Sequence, residues 1–138
     1  MKREIKFRAW DNYNNKFFEP IYEAYNNKLE ELNIGMSGDL SIRDMTNSPK
    51  HESLFPSRFI LMQFTGLHDK NGKEIYEGDI LKLGDTVSFV VWALDGWQFN
   101  SYMERGSLDL YRYVDTTTGK EIAEVIGNIY ENKDLLYV

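Results

Sequence analysis

Three carboxylates fall within six residues near the middle of this chain: Glu74, Glu77 and Asp79. Grouped carboxylates can divide into a general acid and a general base, or offer hard oxygen ligands to a divalent metal. In Glu74-Ile75-Tyr76-Glu77-Gly78-Asp79-Ile80, however, Glu77-Gly78-Asp79 reads first as a polar turn between strands, because a short charge run usually faces water. Few other nucleophiles or bases exist. The chain has no cysteine and only two histidines, His51 and His68. That composition excludes a Cys nucleophile, a disulfide scaffold, a zinc ribbon and an iron–sulfur site. His51 lies in a proline-containing stretch and His68 beside a turn, so both are expected to be solvated. Gly35-Met36-Ser37-Gly38-Asp39 lacks the glycine spacing of a nucleophile elbow. Asp69-Lys70-Asn71-Gly72-Lys73-Glu74 fails as a calcium loop, which needs Gly at its sixth position and Glu at its twelfth, where Glu74 and Ile80 stand. Thr118-Gly119-Lys120 fails as a phosphate loop, because Val114 occupies the earlier glycine position and Glu121 follows the lysine. No catalytic set, metal or cofactor is expected from the residues.

The charge is as informative as the motifs. The chain of 138 residues carries 16 Lys+Arg against 22 Asp+Glu, a net charge of −6. Residues 1–60 hold nine of each sign and residues 61–138 hold seven basic and thirteen acidic, so the deficit belongs to the second half. Binding nucleic acid through the overall field is disfavoured, since phosphate contacts need clustered Lys and Arg. The exception is the start, where Lys2, Arg3, Lys6 and Arg8 face the single Glu4. This basic segment reads mainly as an edge strand protected from aggregation, with a nucleic-acid contact as the alternative. A stacking platform built from Trp10, Trp97, Tyr102, Tyr111 and Tyr113 meets the same objection of too few cations. The 20 aromatics, 14% of the chain, instead call for a core or a subunit interface.

The elements that must position these residues are short. Ile5, Phe7 and Ala9 alternate with polar residues, which predicts a half-buried strand. It is followed by a turn at Asp11–Asn15 and a returning strand that Pro20 stops. Ile21, Ala24, Tyr25, Leu29 and Leu32 lie near helical spacing and predict a helix over 21–32. A strand follows at 39–43, then an irregular linker over 46–56 and a buried strand over 58–64. Asn71-Gly72 predicts a type I′ turn. Asp95-Gly96 predicts a two-residue hairpin loop setting Leu94 against Trp97 and Trp92 against Phe99. A last strand ends near Tyr130, with Gly127 at a bulge or close approach, and Asn132 can cap one helical turn. About eight strands with at most one helix predict a mainly β fold with minor α. The expected form is a small, partly open barrel or sandwich of antiparallel hairpins, with a β/α N-terminal subdomain over 1–57 and a barrel-like one over 58–138, or the two as one continuous domain. Met1-Lys2-Arg3 opens no signal peptide, and the longest apolar run, Phe89–Leu94, is six residues, too short to span a bilayer. A cytoplasmic location is the expectation.

Three blocks carry a family resemblance: 3–11 (Arg3-Glu4-Ile5-Lys6-Phe7-Arg8-Ala9-Trp10-Asp11), 63–80 (Gln63-Phe64-Thr65-Gly66-Leu67-His68-Asp69 through Ile80) and 125–132 (Val125-Ile126-Gly127-Asn128-Ile129-Tyr130-Glu131-Asn132). In this order they resemble the YopX-like family of phage and prophage proteins, with Lys133 standing where that family usually has Pro. The resemblance implies a mainly β protein of a bacterial host's cytoplasm, with no assigned activity and no catalytic residues to carry over. It also favours an accessory factor that binds over an enzyme; with the aromatic surplus covering a subunit interface, the expectation is a non-enzymatic binding or assembly module that is homo-oligomeric and meets a host or phage protein, without membrane contact. Should the signature hold a binding site, its candidates are Thr65, Asp69, Glu77, Asp79 and Asn128, the polar members that turn and strand chemistry needs least.

Overall fold

In a computed structural model, residues 4–46, 48–93, 96–100, 107–109 and 123–137 are described. The fold is mainly β, made of antiparallel sheets with one of them curled into a half-barrel. Two compact units are present, Ala9–Leu61 and a second formed by Met1–Arg8 with Met62–Val138. The chain passes between them inside two strands, β1 (Phe7–Asp11) and β7 (Phe59–His68).

Within Ala9–Leu61, Trp10 and Asp11 of β1 pair with Phe17 and Lys16 of β2 (Lys16–Phe17), and the Trp10 and Phe17 rings meet edge to face at 5.2 Å. A separate sheet runs in the order β3 (Ile21–Glu23), β4 (Lys28–Ile34), β5 (Leu40–Arg43), β6 (Lys50–His51). The helix expected over 21–32 is therefore a hairpin with a single 3-10 turn at Ala24–Asn26. Its cause is local. Asn27 adopts the left-handed conformation at φ 58°, which asparagine tolerates and which closes a turn between the extended Ile21-Tyr22 and Leu29. The irregular stretch 46–56 gains order at β6 and at a second 3-10 turn, Glu52–Leu54.

The other unit is built on a five-stranded antiparallel sheet. Its order is β12 (Ser107–Asp109), β11 (Gly96–Asn100), β10 (Thr86–Ala93), β9 (Asp79–Leu83), β13 (Ala123–Asn128). Ile75, Leu81, Leu83, Val90 and Ala123 form its core, with Leu67 and Val125 packed on them. Full burial of a Val, Leu or Ile side chain stabilises by roughly 1.5–3 kcal/mol. The β10–β11 hairpin exists as predicted, but its register differs: Trp92 pairs with Trp97 and Ala93 with Gly96. Gly96 is thus a strand residue, and Leu94 and Asp95 of the predicted loop lie outside the described residues. Near the end, β13 bulges between Val125 and Gly127, and a Cβ on Gly127 would stand 2.5 Å from Asn132 Oδ1. Both roles expected of Gly127 are present. Asn132 turns its side chain back to the Asn128 N–H, while the closing turn over Lys133–Tyr137 is 3-10.

Candidate functional site

The signature residues of 63–80 and 125–132 assemble within the larger unit, where the side chains of Thr65, Asp69, Asp79 and Asn128 each bond the backbone. The β7 strand and β8 (Glu74–Tyr76) pair through Phe64 with Tyr76 and His68 with Glu74, leaving extra β7 residues between them. Thr65 spans that irregularity: its hydroxyl donates to the Ile75 carbonyl at 2.7 Å and accepts from the Leu67 N–H at 3.1 Å.

The loop from Asp69 to Lys73 follows. Gly72 alone has positive φ, at 81°, and its N–H donates to the Asp69 carbonyl. The predicted type I′ turn needs positive φ at Asn71 as well, so this loop is instead a type I turn followed by a left-handed glycine. Asp69 makes that choice. Its buried Oδ1 accepts the N–H groups of Asn71 and Lys73, both at 2.9 Å, and its Oδ2 accepts the Val125 N–H at 2.9 Å. One side chain closes the hairpin and ties it to β13.

Asp79 has a matching role at the next turn. Its Oδ2 accepts from the Tyr76 N–H at 2.8 Å and its Oδ1 from Arg8 at 2.7 Å. Arg8 also donates to the Glu77 carbonyl at 3.3 Å and stacks over the Tyr76 ring at 4.8 Å. Gly78 permits the turn at φ 85°, donating to the Val90 carbonyl and accepting from Ile129. The Glu77 N–H bonds the Gln63 carbonyl. Asn128 Oδ1 takes the N–H groups of Tyr130 and Glu131, and its amide donates to Glu131. The premise that these are the polar residues the fold needs least is therefore corrected for Thr65, Asp69, Asp79 and Asn128, while the Glu77 side chain reaches only the Gln63 N–H, at 3.5 Å.

Two of the three carboxylates separate by ion-pair partner. Lys6 bridges Glu74 and Glu4 and lies 5.0 Å over the Phe64 ring, whereas Asp79 belongs to Arg8. Glu74 and then Glu4 raise the Lys6 pKa. Among the described residues, no group of three or more His, Asp or Glu is placed to hold a metal ion. Of the basic opening, Lys6 and Arg8 are thus paired with acids, and Lys2 and Arg3 lie outside the described residues.

Burial pushes the Asp79 carboxyl above its usual range, outweighing Arg8. A carboxyl whose pKa is higher folded than unfolded binds more protons when folded. Its stabilising contribution is complete below the unfolded pKa of about 3.9 and fades as pH rises through the folded value. Wild type should therefore lose stability relative to Asp79→Asn on going from about pH 4 to pH 7. Urea unfolding at a series of pH values measures this, and a constant difference would refute the raised pKa.

One strong pair has no counterpart among the sequence expectations. In Ala9–Leu61, the Asp11 carboxylate receives both Arg58 Nε at 3.1 Å and a terminal nitrogen at 3.0 Å, although 47 residues separate them. Burial opposes the Asp11 charge, but Arg58, Asn14 and the Tyr13 N–H hold its pKa below the ordinary value. Only the turn at 11–15 was a local signal, since an Asp accepting the N–H two residues on is ordinary turn chemistry.

A family model described as "YopX protein" matches residues 6–137. Among solved structures, protein EF1440 from Enterococcus faecalis is similar at 27% identity and a TM-score of 0.59, over 98% of this chain and 99% of that one. Protein yopX from Bacillus subtilis shares the fold at 18% identity and a TM-score of 0.55, over 94% of each chain. No curated protein matches the sequence.

Proposed function

Because the chain belongs to the YopX protein family, we propose that it is a phage- or prophage-encoded accessory protein of the host cytoplasm. It works as a binding or assembly module and is homo-oligomeric. The observation that carries this reading is the exposed apolar chemistry of Ala9–Leu61. Tyr22, Tyr25, Met36 and Leu54 all stand in water, with Tyr25 81% exposed and Met36 fully so. Among the described residues most exposed large apolar side chains belong to this unit, and they favour association, because covering them removes apolar area from water. The acidic motif fits the same reading, since Asp79 is engaged in closing a turn and Glu74 in an ion pair with Lys6.

Light scattering is the test. An assembly larger than the 16.2 kDa protomer is expected, reduced by the joint substitution of Tyr22 and Tyr25 by Ser. A strict monomer at high concentration would overturn the oligomer, and a pull-down from phage-infected cells would then identify a different partner. Nucleic-acid binding through Lys2, Arg3, Lys6 and Arg8 is the rival reading. It requires steeply salt-dependent binding that is lost when the four become Gln. The pairing of Lys6 and Arg8 with carboxylates ranks it second.

A further inference from the structure

Of the asparagines in this chain, Asn71 alone precedes a glycine, and the loop that holds it is exposed from Lys70 to Lys73. An asparagine can close a five-membered imide ring when the next residue's backbone nitrogen attacks its side-chain carbonyl carbon, Cγ. Glycine offers the least obstructed nitrogen for that attack, because it has no side chain to stand in the way. The Asn71 side chain stands in water, so its amide is open to solvent.

The fold holds the attacking nitrogen back. Gly72 N–H donates to the Asp69 carbonyl at 3.0 Å, while Asp69 Oδ1 accepts the N–H groups of Asn71 and Lys73, both at 2.9 Å. One buried residue therefore fixes three consecutive peptide groups around the Asn71-Gly72 bond. Asn71 is the third residue of the type I turn, a position where ψ is about 0°. Ring closure instead requires the Gly72 nitrogen to rotate until it eclipses the Asn71 Cβ, which breaks the Gly72 bond to Asp69. Attack also requires Gly72 to lose its amide proton, and the Asp69 charge opposes the anion that results.

We infer that Asn71 is a site of spontaneous deamidation and that the Asp69 carboxylate gates it. The reaction proceeds from loops that have opened locally. There the Gly72 nitrogen gives its proton to hydroxide and bonds to Asn71 Cγ. The Cγ–Nδ2 bond breaks, and the side-chain nitrogen leaves as ammonia after taking a proton from water. Water then adds to one of the two carbonyls of the succinimide. Ring opening at Cγ gives aspartate at position 71 with a normal backbone, and opening at the main-chain carbonyl gives isoaspartate. In total one water is consumed, one ammonia is released and one negative charge is gained beside Asp69. Isoaspartate lengthens the loop by one backbone atom and displaces the Gly72 and Lys73 N–H groups from Asp69. Because Asp69 also holds the Val125 N–H, the change loosens the hairpin from β13 and is not reversed by refolding. This goes beyond association through the exposed apolar side chains and does not depend on it.

The test is incubation of the full chain at mildly alkaline pH, folded and in concentrated urea, with peptide mass mapping of the unit mass gain over time. In the folded protein Asn71 should be the first asparagine to react, and more slowly than in urea. Asp69→Ala should speed the folded-state reaction by about tenfold or more, because two charge-assisted bonds that keep the loop closed are gone. In urea the variant and the wild type should react at closely similar rates. Circular dichroism establishes that the variant is folded, and if Asp69→Ala does not fold, Asp69→Asn replaces it. Earlier reaction at another asparagine, equal wild-type rates with and without urea, or a folded variant no faster than wild type overturns the inference. The oligomeric state enters none of these readouts, so the two readings fail separately.

Discussion

Arg58→Met is expected to be among the most damaging single substitutions in the Ala9–Leu61 unit, costing about 3–5 kcal/mol, the range for removing one partner of a buried ion pair. The Arg58 side chain is only 12% exposed and that of Asp11 3%. Without the guanidinium, Asp11 keeps the Tyr13 N–H and the Asn14 amide but no countercharge. Arg58 also lies over the rings of Phe59 at 4.7 Å and of Tyr13 and Phe55 at 5.4 Å, contacts that Met replaces incompletely. The loss is large against the roughly 5–15 kcal/mol that holds an ordinary domain together. Denaturant unfolding of Arg58→Met, Asp11→Asn and the double variant measures it. The double variant should be less destabilised than Arg58→Met alone, because no buried charge is then left uncompensated. Simple additivity of the two losses would refute the pair as a coupled unit.

The second large effect is expected at Asp69. Asparagine is close in shape but has one carbonyl oxygen where the carboxylate has two, and here three backbone N–H groups are divided between them. Whichever way the amide is turned, its NH₂ meets a backbone donor, either at Val125 or in the Asn71–Lys73 loop. The cost is about 2–4 kcal/mol, from the loss of at least one charge-assisted hydrogen bond and a buried donor left without an acceptor. Asp69→Ala loses all three bonds and should cost more. Amide exchange provides the site-specific readout, with protection falling at Val125 in one amide orientation or at Asn71 and Lys73 in the other. A stability change below about 0.5 kcal/mol for Asp69→Asn, the level of an ordinary surface substitution, would contradict this account.

The features legible in the sequence are those whose cause lies within a few residues. Alternation in 4–10 predicted a strand with Ile5, Phe7 and Ala9 on its half-buried face; the strand runs Phe7–Asp11, and of the three only Ala9 is buried while Ile5 and Phe7 are exposed. The apolar run of 58–64 predicted a buried strand, and Gly127 marked a bulge. Asn71-Gly72 located a turn but not its type, because the type depends on Asp69 Oδ1 capturing two N–H groups from outside the pair. Leu29 and Leu32 at near-helical spacing suggested a helix where Asn27 makes a hairpin. Periodicity over twelve residues cannot outweigh a left-handed turn residue at its centre together with partner strands on the sheet. The Trp92 register slipped for a similar reason. A dipeptide favouring a hairpin narrows the loop to a neighbourhood, and pairing along the whole of β9 and β10 selects the final alignment.

The candidate residues show the same division. Sequence alone determined the residue inventory: no cysteine, two histidines, an acidic second half behind a basic first segment, and the family whose motif these blocks carry. Those properties survive any folding, because they are counts and local patterns. Only the tertiary structure decided that Arg8 meets Asp79 across 71 residues and that Arg58 meets Asp11 across 47. An ion pair between distant positions leaves no periodic trace in the chain. Its partners are brought together by strand pairing and by burial, which makes an unpaired charge costly.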